Sequence, residues 1–220
     1  MDYGLQQRTR RKRRFPVGRP TAAQACLRTG DLLDAAWEVF IELGYQAASI
    51  AEIARRAGAS KQTIYARFST KAELFKAVIQ RGSDRLQELF ARILLPDDAV
   101  ELVLLSYGEN MAQIMIQPEA QRFFRTVVGA ARDFPELAEF FWEHAARQGQ
   151  KRLAEYLTAQ TAKGALQVED PVMAARLFDS LCTGPAPALS SMGLAIPCDY
   201  ATLHRYVKEA VRIFLAAYGV

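Results

Sequence analysis

The sequence predicts an all-α protein, with a helix-turn-helix unit near the start followed by a larger helical domain, and three observations carry that expectation. Apolar residues recur at the 3.6-residue helical period through most of the chain. Ser, Thr or Asp stands ahead of successive apolar runs as an N-cap, twice with Glu three residues on. Gly or Pro falls where those runs stop. No strand-period run, repeat or low-complexity tract competes. With 220 residues, half of them apolar, the chain is long enough to bury a core without disulfide staples.

Residues 1–28 read as a basic, disordered arm, because the run from Arg8 to Pro20 is rich in Arg, poor in apolar residues and self-repelling. Its expected role is to add phosphate affinity without sequence choice. From Asp31 a helix follows, with Leu32, Leu33, Ala36, Trp37, Phe40 and Ile41 on one stripe and Gly44 as its stop. Ser49-Ile-Ala-Glu52 is a capping box, in which serine and glutamate satisfy each other's orphan N–H groups, for a helix ending at Gly58. Ser60 caps a short helix through Phe68. Thr70-Lys-Ala-Glu73 opens a longer one whose buried side holds Leu74, Phe75, Val78, Ile79, Leu86 and Leu89.

Downstream, helices are expected over 98–116, 119–131 and 135–163, with Pro118 and Pro135 at boundaries and Gly164 past an end. Asp170-Pro171 starts another, which Gly184-Pro185-Ala-Pro187 breaks or kinks. Asp199 caps the last, to Tyr218.

Charge is divided unevenly along the chain. Residues 1–81 hold 15 Lys+Arg against 7 Asp+Glu, a balance of +8, and residues 82–220 hold 13 against 17, a balance of −4. The first part is therefore suited to a polyanion. Within it, residues 50–69 form two short helices joined around Gly58, a helix-turn-helix. Ala54 allows the helices to approach, Gly58 takes the positive φ of the turn, and Ile53 and Ile64 plug the angle. A purely structural helical hairpin shares those residues but not the basic ones beside them, which favours DNA.

The run Leu33-Asp-Ala-Ala-Trp-Glu-Val-Phe-Ile-Glu-Leu-Gly-Tyr45, then Ser49-Ile-Ala-Glu-Ile-Ala-Arg-Arg-Ala-Gly-Ala-Ser-Lys-Gln-Thr-Ile-Tyr-Ala-Arg-Phe68 and Lys71-Ala-Glu-Leu-Phe75, closely resembles the tetracycline-repressor (TetR) family over about residues 30–80. The resemblance implies a dimeric, all-helical, cytoplasmic transcriptional regulator, usually a repressor released from double-stranded operator DNA by a small-molecule effector. It implies a DNA-binding domain over 29–76 and a ligand-binding and dimerisation domain over 77–220. The helix after Ser60 then resembles the recognition helix, with Lys61, Gln62 and Thr63 in the first turn, where base edges are reached. Tyr65 and Lys71 resemble phosphate contacts, with Ser49 and the N-terminus of the Thr70 helix as backbone clamps. Many members carry Gly where Gln62 stands and Tyr or His where Arg67 stands, so those two residues are expected to individualise the operator.

In the second half the resemblance implies an apolar cavity, for which Tyr107, Met111, Met115, Phe124, Phe141, His144, Phe178 and Cys182 are the candidate lining. Each aromatic or Met is also an ordinary core residue, and His144 an ordinary buried histidine. Dimerisation is expected through the last two helices, 171–192 and 199–218, on the stripe Leu203, Tyr206, Val207, Ala210, Val211, Phe214 and Leu215. Sealing the subunit's own core is the alternative use of that stripe.

A helical enzyme is the weaker class, since the two histidines have no metal-ligand spacing and no phosphate loop or nucleophile elbow occurs. No cofactor or metal is expected. A redox sensor using Cys182 and Cys198 is a third reading, against which the three cysteines, with Cys26, read as inert reduced thiols. No secretory signal is legible, and apolar runs such as Ala99 to Ser106 are too short to span a membrane.

Overall fold

The computed structural model describes residues 22–95, 97–194 and 199–220, with side chains from Thr29 onward. The charged run Arg8 to Pro20 lies outside the described residues. Helix α1, Ala22–Ala47, begins well before Asp31, because nothing between Ala22 and Gly44 breaks a helix and Asp31 lies within it rather than capping it. Gly44, at φ 76°, ψ 167°, leaves helical geometry where the sequence places its stop.

Helices α2 (Ile50–Arg56), α3 (Lys61–Tyr65) and α4 (Lys71–Ile93) follow, then α5 (Val100–Ile116) and α6 (Pro118–Ala130). The expected single helix over 135–163 is interrupted. It consists of α7 (Pro135–Phe141), a π-helical turn (Trp142–Ala146) and α8 (Arg147–Ala162). Helix α9 (Pro171–Thr183) ends at Gly184, φ 49°, and α10 (Ala186–Ser191) and α11 (Tyr200–Tyr218) complete the chain. Among the described residues the isolated β-bridge Leu166–Gly219 is the sole β pairing, and no helix is long and apolar enough to cross a membrane.

Two cores organise these helices. The first joins α1–α4 through Val39, Phe40, Ile53, Ile64, Leu74 and Phe75, and extends onto Phe123 and Val127 of α6 and Leu137 of α7. Trp37 stacks on Phe123 at 4.3 Å and the Thr126 hydroxyl donates to the Phe40 carbonyl at 3.1 Å, so α6 is bolted to α1. The second core packs Phe90, Leu104, Tyr107, Leu153, Leu157, Phe178, Val207 and Phe214 from α4, α5, α8, α9 and α11. Each fully buried Leu or Phe contributes roughly 1.5–3 kcal/mol by its removal from water.

Helix α4 belongs to both cores, and here the buried side differs from expectation. Ser83 and Phe90 are buried, whereas Leu86 and Leu89 are only partly so. The cause is the π-turn, whose His144 carbonyl accepts a hydrogen bond from the Ser83 hydroxyl and brings that face of α4 inward.

The α11 stripe is corrected as well. Leu203, Val207, Ala210, Val211 and Phe214 are buried inside the subunit against α5 and α9, Leu215 is half-buried, and Tyr206 faces out. The stripe seals the core.

Candidate nucleic-acid interface and ligand domain

The helix-turn-helix head is built from local hydrogen bonds. Ser49 accepts the Glu52 N–H at 3.2 Å and starts α2. The reciprocal half of that capping box is absent, because the Glu52 carboxylate turns instead to Arg55 (2.7 and 2.8 Å) and Arg56 (2.8 Å). Hydrogen bonds from these two guanidiniums, Arg55 first, hold the Glu52 carboxyl down at about 2. Arg56 also reaches Glu42 on α1, so both arginines of α2 are engaged inside the head.

The turn closes with Ala59 N–H on the Ala54 carbonyl at 2.9 Å, a Schellman geometry that needs a left-handed residue between them. Gly58, φ 61°, supplies it. Ile53 and Ile64 are fully buried across the turn, and the opposite side of α3 is left to solvent.

On that outer side Lys61, Gln62, Thr63, Tyr65 and Arg67 are all exposed, as are the capping residues Ser49 and Ser60. Thr63 is not wholly free. Its N–H donates to the Ser60 hydroxyl at 3.0 Å and the two hydroxyls lie 2.8 Å apart. Arg67 donates to the Thr29 hydroxyl at 2.6 Å, tying the chain just past α3 to α1.

Lys71 is placed differently from its expected role. Its ammonium is half-buried and donates to the carbonyls of Tyr45 (2.8 Å), Gln46 (3.1 Å) and Ala48 (3.0 Å), so all three N–H groups are engaged between α1 and α2. Burial lowers its pKa. At the N-terminus of α4 Thr70 accepts the Glu73 N–H at 3.1 Å and the Glu73 carboxylate accepts the Ser69 N–H at 2.7 Å.

The eight candidate cavity residues do not gather round one space. Tyr107, Phe178 and Cys182 are buried in the second core, with Met111 against it. Phe124 and Met115 line a void of about 20 Å³ closed by Ala186 and Pro187 of α10. Phe141 packs at 6.3 and 6.2 Å from Phe123 and Phe124 on the side of the first core. His144 is exposed, stacked on Phe140 at 3.9 Å, because the π-turn shifts its register outward.

A larger groove, about 520 Å³, runs between α8 and α9, lined by Glu143 of the π-turn and Arg147, Gln148, Gln150, Lys151, Ala154, Glu155 and Thr158 of α8 on one wall and Pro171, Val172 and Arg176 on the other. None of the eight candidates lines it. Sequence reasoning missed Asp179 of α9, whose buried carboxylate accepts from the Tyr107 hydroxyl at 3.0 Å. Burial raises the Asp179 carboxyl to about 7, against the lowering effect of hydrogen bonds from Tyr107 and Gln150. The signal in the sequence was a lone acid beside Phe178 and Cys182 on the inward side of α9.

Cys182 is buried, and desolvation pushes its thiol well up, which opposes the thiolate a redox sensor uses. Cys198 and the Cys26 side chain lie outside the described residues. Among the described residues no three His, Cys, Asp or Glu side chains converge as metal ligands.

Comparison with known proteins agrees with this arrangement. Residues 32–78 match the family of bacterial regulatory proteins called tetR, and residues 102–220 match the C-terminal domain of AefR-like transcriptional repressors. The HTH-type transcriptional activator FasR of Mycolicibacterium smegmatis is 56% identical over 59 residues, 27% of each chain. Curated relatives of this kind are spanned over only part of their length, 27% and 39% in two cases. A TetR-family transcriptional regulator from Mesorhizobium loti superposes with a TM-score of 0.84 at 25% identity, over 90% of this chain and 99% of that one. The flavonoid-responsive regulator FrrA does so at 0.72 and 29% identity, over 88% and 98%.

Proposed function

The chain belongs to the TetR family of transcriptional regulators, a family of regulators rather than enzymes, and from that premise we propose that it is a homodimeric, cytoplasmic repressor released from a palindromic operator by a small apolar or amphipathic molecule. The observation that carries the reading is the outward face of α3. Lys61, Gln62 and Thr63 sit in its first turn with Tyr65 beyond, at the end of a recognition helix that reaches base edges. Gln62 has the amide geometry to read adenine, and the Thr63 methyl suits thymine. The basic run from Arg8 to Arg19 adds phosphate affinity without sequence choice.

A dimer supplies the second recognition helix that a two-fold operator needs. The surface that favours it is the exposed apolar set Met173 and Leu177 of α9 with Tyr206 and Ile213 of α11, on two helices that pack together. Repression is favoured by the AefR-like C-terminal match, and an effector by the description of FrrA as flavonoid-responsive.

Effector binding acts on the head through two mechanical links. Helix α4 runs unbroken from the head into the second core, and α6 is held to α1 by Trp37–Phe123 and Thr126–Phe40. A shift of either tilts α3 and changes the spacing between the two recognition helices. Selection from random duplex DNA tests the reading: a two-fold motif is expected, and recovery of no motif overturns it.

A further inference from the structure

The second core contains a polar cluster that packing alone does not call for. Asp179 is buried on α9, accepts from the Tyr107 hydroxyl of α5 and has Gln150 of α8 beside it, and no cation stands within ion-pair distance of it among the described residues. A buried acid without a cation is costly, and a hydrophobic residue there would be cheaper. The groove between α8 and α9 shares the α9 face on which Asp179 sits. Val172 and Arg176 line the α9 wall, and Asp179 follows on the same face at the i, i+4, i+7 spacing. Gln150 is part of the opposite wall and stands close enough to Asp179 for its amide to lower that carboxyl's pKa, so one flexible amide lies between groove and carboxylate.

We propose that the groove between α8 and α9 binds organic cations, amines with a compact apolar body, whose ammonium displaces the Gln150 amide and pairs with Asp179. This rests on the effector reading above and names the class of effector. The apolar body lies against Ala154, Pro171 and Val172. The groove's other charges largely cancel, since Glu143 and Glu155 line it too, Arg147 paired with Glu143 at 2.8 Å and Lys151 4.0 Å from Glu155. Arg176 opposes a cation, but it is exposed at the mouth, where water and salt screen it, whereas the carboxylate acts in a low-dielectric interior. With its carboxyl at about 7, Asp179 is largely unprotonated in mildly alkaline solution.

Tryptamine, tryptophol and indole-3-acetate carry one ring system on a short chain ending in an ammonium, a hydroxyl or a carboxylate, and provide the test. Each is titrated calorimetrically into the full chain at about pH 8, and duplex DNA selected by the protein is followed by anisotropy in parallel. The amine is expected to bind at least ~10-fold more tightly than the alcohol, with indole-3-acetate weakest. In Asp179→Asn that preference disappears, and in Gln150→Ala, a groove-wall change that keeps the acid, the amine binds severalfold more tightly. Equal affinity for amine and alcohol, no binding of any of the three at millimolar concentration, or an undiminished preference in Asp179→Asn overturns the cation site, as does unchanged amine binding in Gln150→Ala. The DNA signal separates the two readings. Asp179-dependent amine binding that leaves DNA affinity unchanged keeps the site and removes its effector role, while charge-blind binding that releases DNA keeps the effector role and overturns the cation site.

Discussion

The ammonium of Lys71 lies 4.6 Å over the ring of Tyr45 and donates to that residue's carbonyl at 2.8 Å, which joins the start of α4 to the end of α1. Two further carbonyls, of Gln46 and Ala48, complete its donors. A lysine so engaged holds the head together before it meets any phosphate. Lys71→Ala should therefore lower the stability of the fold by about 1.5–3 kcal/mol, as loss of charge-assisted hydrogen bonds to otherwise unfulfilled acceptors does. Urea midpoints and the salt dependence of DNA affinity decide between the roles. Unchanged stability with a shallower salt slope would return Lys71 to the phosphates.

Gln62 and Arg67 should separate in a specificity profile. Gln62 is exposed in the first turn of α3, so Gln62→Ala should relax preference at one base position, with a discrimination loss of about 1–3 kcal/mol there. Arg67 is spent on Thr29 at 2.6 Å, so Arg67→Ala should lower affinity for all sequences by loosening α1 against α3. A changed base preference in Arg67→Ala would show that it leaves Thr29 to read DNA.

What was legible in the sequence was what is local. Ser49, Ser60, Thr70, Asp170 and Asp199 each cap the helix expected of them, since a cap is a contact across three or so residues. Gly58 and its isoleucines follow from the same short range. Lys71 meeting three carbonyls some 25 residues back, and Asp179 meeting Tyr107 across 72 residues, depend on how helices cross, which periodicity does not encode. The π-turn at Trp142–Ala146 defeated the fixed 3.6 period itself, turning His144 outward. Apolar stripes reveal that a face is covered without saying by what, so the α11 stripe was legible as buried and silent on whether a neighbour helix or a second subunit buried it.

The division of α11 into an inner and an outer face gives a paired test. Ile213→Glu or Leu177→Glu places a charge on the exposed apolar surface, and should lower the assembly state in sedimentation with helical content retained. Val211→Glu places one at a residue 2% exposed, and should cost several kcal/mol and unfold the second core in the separated subunit as well as the dimer. A dimer that survives both Ile213→Glu and Leu177→Glu would move the interface elsewhere.

Asp179 should make stability fall as pH rises. Its carboxyl titrates at about 7 in the fold against 3.8 when unburied, with burial the first cause. Between those values the native state keeps a proton that the unfolded chain has lost, so stability is full below the lower value, declines through the interval, and carries the whole penalty above the upper one. Each pH unit of that interval is worth about 1.4 kcal/mol at most, and relaxation of the core reduces it. Asp179→Asn keeps an oxygen for the Tyr107 hydroxyl and has no proton to lose. Its advantage over the wild type should consequently widen by about 2–3 kcal/mol between pH 5 and pH 8, read as the difference of the two denaturation free energies at each pH. A gap that stays constant across that range would mean the carboxylate is ionised at no cost, and hence that water or a cation already reaches it in the folded protein.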